Sequence, residues 1–122
     1  MSNSLENKIE MQTLKAFAMT VNFKYDEDKL LDEVLAHILK TYSQHYSKDK
    51  YQATEFIIDA GHGKGFCIGN VLKYAQRYGK KGSHEDHKKD LLKIIHYAII
   101  ALFIHNKEGN QDDWRHKKRK SP

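Results

Sequence analysis

The sequence predicts a mainly α fold: one compact helical domain of three to four helices over residues 1–106, with a short N-terminal β element, and then a basic, flexible tail over residues 107–122. Three observations predict it. The 122 residues hold seven glycines and one proline, and that proline is Pro122, so little interrupts a helix. Apolar residues make up 39% and charged residues 30%, the balance of a globular chain of one domain. Apolar positions recur at helical spacing through most of the chain.

The β element rests on Phe17–Tyr25, where large apolar residues alternate with small or polar ones. Its pairing partner is either residues 8–13 or the same strand of a second subunit, because a lone strand leaves its backbone groups unpaired. A helix over residues 5–19 competes with this reading, but its apolar positions scatter around the wheel. Asp26, Glu27 and Asp28 then put acids at a helix start. Leu30, Leu31, Val34, Leu35, Ile38, Leu39 and Tyr42 mark one face of that helix, roughly residues 27–43. Residues 44–50 form a polar connection. A short helix over Tyr51–Ala60 puts Gln52, Glu55 and Asp59 on one side, and the run Gly61-His62-Gly63-Lys64-Gly65 breaks it.

The next helix, residues 66–78, carries the most informative pattern. At 100° per residue, Asn70, Lys73 and Arg77 share one stripe, opposite Ile68, Val71, Leu72 and Ala75. The helix runs into a loop with Lys80 and Lys81 between Gly79 and Gly82. A last helix over Glu85–Asn106 has a broad apolar face of Leu91, Leu92, Ile95, Ile99, Leu102 and Phe103. Asp86, Asp90, Lys93 and Tyr97 form a polar strip on its other side. If these two helices pack antiparallel, both apolar faces enter the core and the polar stripes meet at the rim. Lys73 and Arg77 then lie near Asp90 and Lys93, either as plain salt bridges or as a phosphate clamp with Tyr97.

Charge and cysteine content narrow the partners. The net charge is +5, divided as −2 over residues 1–44, +4 over 45–105 and +3 over 106–122. A basic balance suits an anionic partner, which can be a nucleotide, a nucleic acid or an acidic protein. Cys67 is the sole cysteine, so no internal disulfide forms. The sequence predicts no signal peptide, and the longest apolar run, Ile94–Ile104, contains His96 and is about half the ~20 residues of a membrane span. No membrane partner is expected.

Conventional catalytic motifs are missing. The glycine run 61–65 leads into a helix start that suits an anion, but it lacks the Gly-Lys-Ser/Thr ending of a Walker loop. Glu55 and Asp59, one turn apart, are the candidates for acid–base chemistry or for a shared divalent ion such as Mg. No other metal site is expected, since His84 and His87 have no third ligand at a recognisable distance. His45 and His96 are further residues that could reach a pocket.

The motif Gly69-Asn70-x-x-Lys73-Tyr74-x-x-Arg77-x-Gly79-Lys80, with His45-Tyr46, Glu55, Asp59 and Phe66 before it and Asp90-Leu91-x-Lys93-Ile94-x-His96-Tyr97 after it, carries a resemblance. Residues of about 45–104 resemble the small phage-encoded SaV-like domain, a nucleotide kinase-like family. The resemblance implies a phage origin, the cytoplasm of an infected bacterium, a mainly helical domain and the handling of nucleotides. It makes Asn70, Lys73, Arg77, Lys80, Asp90, Lys93 and Tyr97 the expected ligand-facing set, to which the residues themselves add Tyr74 as an aromatic wall, Lys81 of the basic loop and His45 as further candidate ligand contacts.

Three functions follow as expectations. The first is nucleotide binding in a cationic helical pocket, with kinase-like phosphoryl transfer. The second is a non-catalytic sponge that traps a nucleotide-derived immune signal of the host. The third is a nucleic-acid module using Lys80, Lys81 and the tail 115–120. A homo-oligomer is expected in each case.

Overall fold

A computed structural model describes the backbone of residues 2–44 and 47–120 and the side chains of residues 4–44 and 49–109. Among the described residues five helices follow one another: α1 (Ser2–Ala18), α2 (Glu27–Ser43), α3 (Ser47–Asp59), α4 (Gly63–Arg77) and α5 (His84–Lys120). The mainly helical class is as expected, but there are five helices rather than three to four, and no strand occurs among the described residues. The chain divides into two units, residues 1–32 and 33–122.

In the first unit the expected β element gives way to α1 and a turn. Residues 2–18 lack Gly and Pro and are rich in Leu, Glu, Lys, Met, Gln and Ala, all good helix formers, so propensity overrides the period-two pattern. The helix closes at Ala18, and Thr20 and Val21 bond back to Phe17 and Ala18 in a tight turn. Asp26 (φ 55°) introduces α2, where the Tyr25 amide donates to the Glu27 carboxylate at 2.7 Å.

The second unit contains the candidate site. Glycine geometry sets the passage from α3 to α4. Gly61 (φ 89°) ends α3 in a Schellman turn, with the His62 amide donating to Ile57 O and the Gly61 amide to Ile58 O. Gly63 is buried, and a Cβ there would stand 2.8 Å from Ile104 Cδ1 and 3.0 Å from Ile58 Cγ1. The glycine run therefore serves close approach of α3, α4 and α5. At the start of α5, Ser83 and Asp86 form a capping box: the Ser83 amide donates to Asp86 Oδ2 at 2.9 Å and the Asp86 amide to Ser83 Oγ at 3.3 Å. These bonds from Ser83 hold the Asp86 carboxyl below its ordinary range. The helix then runs to Lys120, past the expected end at Asn106, because residues 107–120 lack proline and include four Lys and two Arg, both good helix formers.

Helices α4 and α5 pack antiparallel, but with the opposite face inward from the one expected. Asp90 is 1% exposed, and Cys67 on α4 is fully buried. Phe66, Asn70, Tyr74, Arg77, Lys93 and Tyr97 are half-buried. Ile68 and Leu72 on α4, and Leu91, Ile95, Ile99, Leu102 and Phe103 on α5, are exposed. The polar stripes thus meet inside the pair. Arg77 Nε lies 3.5 Å from Asp90 Oδ2, and the carboxylate makes no hydrogen bond among the described residues. Lys64 and Glu108 close the far end as an ion pair.

Two outcomes test this packing. Gly63→Ala lowers stability by about 1 kcal/mol, the overpacking exceeding the gain in helix propensity. Gly65→Ala, where a Cβ meets nothing within 4 Å, raises stability by about 0.5–1 kcal/mol; urea unfolding at fixed chain concentration reads both. Arg77→Ala strands the Asp90 carboxylate and costs about 2–3 kcal/mol, below the full buried-pair value because the Arg77 side chain is 40% exposed. Arg77→Met with Asp90→Leu recovers most of that loss in the same measurement.

Candidate functional site

Helices α2, α3 and α5, with Tyr74 of α4, enclose a cleft of about 590 Å³. Among the described residues five lysines line it: Lys40 from α2, Lys50 from α3, and Lys88, Lys89 and Lys93 from α5. The spacing of Lys89, Lys93, His96 and Ile100 places all four on one flank of α5. Among the described lining residues, only Glu33 and Glu85 carry carboxylates against the lysines, and Glu33 is ion-paired with Lys88. The cleft is therefore net cationic.

His37 and His96 meet edge to face across it, with ring centroids 6.1 Å apart. Burial holds both below the ordinary histidine value. Lys93, Lys50 and Lys40 push His37 down further; His37 and Lys50 do the same to His96. Both shifts favour the neutral rings.

Tyr74 carries two cations. Lys93 Nζ lies 5.0 Å and Lys73 Nζ 5.2 Å from its ring centroid. Among the described residues neither ammonium forms an ion pair with a carboxylate, so the two are suited to an anion that bridges them. Tyr97 stacks on Tyr74 at 6.1 Å and receives Phe66 edge-on at 5.8 Å. Burial raises the Tyr97 hydroxyl pKa, and Tyr74 adds to the shift, so it stays a neutral donor.

A second hollow, about 620 Å³, adjoins the first. Tyr51, Thr54, His96 and Ile100 line both. Its remaining wall is largely apolar and aromatic, with Ile38, Tyr42, Ile58, Ile99 and Phe103, and Glu55, Asp59 and Lys107 complete it. Tyr42 and Tyr51 stack at 4.3 Å, with ring planes 11° apart. Thr41 anchors the stack, since its hydroxyl donates to Ile38 O at 2.7 Å and bonds the Tyr51 hydroxyl.

The expected ligand-facing residues are divided among several places. Tyr74, Lys93 and Tyr97 line the cationic cleft, and Lys73 reaches the Tyr74 ring. Arg77 and Asp90 are joined to each other inside the α4–α5 pair. Asn70 turns back on its own helix and donates to Phe66 O at 2.9 Å. Lys80 and Lys81 are exposed in the loop after α4. Glu55 and Asp59 border the aromatic hollow rather than the lysines. His45 and the side chains of residues 115–120 lie outside the described residues. No group of three or more His, Cys, Asp or Glu residues suited to a metal occurs among the described residues.

Lys40, Lys50, Lys88, Lys89, His37 and Tyr51 of the cleft lie outside the stripes that single-helix spacing defines. These come from three helices far apart in sequence. The lysine and histidine spacing along one flank of α5 was the signal that could have found part of the set.

Residues 40–99 match the profile of a family described as a protein of unknown function (DUF3310). The match spans the end of α2, all of α3 and α4, and α5 as far as Ile99. It includes all five cleft lysines. Neither a curated protein nor a solved structure matches the chain. The chain is similar to that family over these residues.

Proposed function

We propose that this protein binds a nucleotide or a nucleotide-derived small molecule in the cleft of α2, α3 and α5. The observation that supports the reading is the junction of two compartments with complementary chemistry. One is lined by five lysines; the other is walled by stacked tyrosines and aliphatic side chains; four residues belong to both. Phosphate groups suit the first, through charge-assisted hydrogen bonds from Lys50, Lys89 and Lys93. A planar base suits the second, where Tyr42 and Tyr51 offer π surface and Glu55 or Asp59 accepts from ring or amino N–H groups. Each compartment has the size of an ordinary small-molecule site. In this reading Glu55 and Asp59 meet the base, and Lys73 with Lys93 flanks the phosphate on Tyr74.

Calorimetry with ATP, GTP, a cyclic mononucleotide and inorganic tripolyphosphate tests the proposal, with the ligand recovered and analysed by chromatography. A nucleotide is expected to bind at least tenfold more tightly than tripolyphosphate. Lys50→Ala with Lys93→Ala weakens nucleotide binding by about a hundredfold, from the loss of two charge-assisted contacts. Recovery of intact nucleotide identifies sequestration, and a converted product identifies turnover. Absence of binding to every nucleotide at millimolar concentration overturns the reading.

The histidine pair supplies a second expectation. The folded state disfavours protonation of His37 and His96, so the unfolded chain binds more protons below the ordinary histidine value of about 6.5. The stability contributed by the neutral rings is fully present above that value and is lost as pH falls through their depressed folded values. A bound phosphate reverses the electrostatic part of this effect. Melting curves from pH 7.5 to 5 are expected to fall less steeply with nucleotide present, and nucleotide affinity is expected to rise on acidification. Neither trend should survive His37→Gln with His96→Gln.

A further inference from the structure

We infer, on the footing that the cleft binds a nucleotide, that its preferred ligand is a nucleoside polyphosphate free of magnesium, whose charge the lysines neutralise in place of the metal. The charges of the cleft are unevenly divided along its length. Glu33 on α2, and Glu85, Lys88 and Lys89 on α5, stand towards one end, at least one turn before His37, Lys93 and His96 on the same helices. That end is close to balanced. Glu33 is ion-paired with Lys88, the charge of Glu85 falls on Lys88 as well, and Lys89 acts on the Asp86 carboxylate. At the other end Lys40, Lys50 and Lys93 gather from α2, α3 and α5. After burial of the ring, these three lysines are what disfavours a charge on His37, and no acid acts on it among the described residues. Three ammonium groups from three helices therefore share one region around that imidazole. Lys73 joins them from α4 through the Tyr74 ring, where its Nζ lies 5.2 Å from the centroid and that of Lys93 5.0 Å. Among the described residues none of these four ammonium groups forms an ion pair with a carboxylate.

The extent of this array selects the number of phosphates. Lys40, Lys50 and Lys93 surround His37, whereas Lys73 is reached only across Tyr74. One phosphoryl group meets the first set, and a further one along the same chain is needed to meet Lys73 as well. The donor set selects the metal-free form. Magnesium in phosphate sites is held by one or two carboxylates together with the phosphate oxygens, and it keeps several of its waters. Here Glu33 is engaged by Lys88, and Glu55 and Asp59 border the aromatic hollow assigned to the base. A magnesium ion entering with the polyphosphate cancels two of its negative charges and occupies oxygens that the ammonium groups otherwise bond. It also brings positive charge beside four ammonium groups that no carboxylate neutralises. The metal and the lysines thus compete for the same oxygens, and the free polyanion fits the cleft better.

Calorimetry of the full chain with ATP, GTP, AMP and GMP, in excess EDTA and in excess magnesium at one ionic strength, tests the inference. At least one triphosphate is expected to bind about tenfold more tightly in EDTA than with magnesium, the worth of one charge-assisted contact. Its monophosphate is expected to bind more weakly by about tenfold or more, with little response to magnesium. Lys73→Ala, at an exposed position of α4, lowers the triphosphate affinity about tenfold and leaves the monophosphate affinity unchanged. A triphosphate that binds as tightly or more tightly with magnesium overturns the inference while nucleotide binding stands. A monophosphate that matches its triphosphate, or a Lys73→Ala variant with unaltered triphosphate affinity in EDTA, does the same. Failure of all four nucleotides to bind in either buffer removes nucleotide binding itself, and the inference with it.

Discussion

The α4–α5 pair is organised around one buried carboxylate. Asp90 is almost fully enclosed, and Arg77 supplies the opposing charge from the facing helix. A carboxylate in that position dictates which faces of the two helices can meet, because its counter-charge has to come from α4. Once Arg77 faces Asp90, antiparallel geometry brings Tyr74 and Phe66 against Tyr97, and Gly63 against Ile104. The same rotation turns Lys93 and His96 toward α2 and α3, where the cationic cleft forms. It also sends the aliphatic stripe of α5 outward. The pairing, the cleft and the exposed aliphatic stripe are thus three results of a single rotational choice.

That choice was not legible in the sequence, although much of the fold was. Acids at Asp26–Asp28 and seven apolar positions at helical spacing placed α2 within a residue of its observed limits. The glycines at 61–65 and at 79 and 82 marked both ends of α4. The helical wheel separated polar from apolar stripes on α4 and α5 correctly. What it could not supply was which stripe faces inward. The ordinary rule sends the apolar stripe to the interior, and the rule holds for a chain that completes its core alone. Here Ile68 and Leu72, like the α5 stripe, remain exposed within the single chain.

The N-terminal segment shows a different limit. Phe17–Tyr25 does alternate as a strand would, but only its first two residues enter regular structure, as the end of α1. Local alternation over nine residues competed with uninterrupted helix propensity over seventeen, and the longer signal prevailed. The candidate site was partly legible for a related reason. Tyr74, Lys93 and Tyr97 sit on stripes defined by single helices, so spacing found them. Lys40, Lys50 and His37 join them only through tertiary packing of α2 and α3, which no one-dimensional pattern encodes.

Cys67 offers a practical consequence of this architecture. The only sulfur nucleophile of the chain is sealed between α4 and α5, and burial raises its pKa, keeping it in the unreactive protonated form. A thiol reagent in solution can reach it only after those helices separate. The protein therefore carries an intrinsic clock for its own opening, read by the rate of alkylation without any added probe.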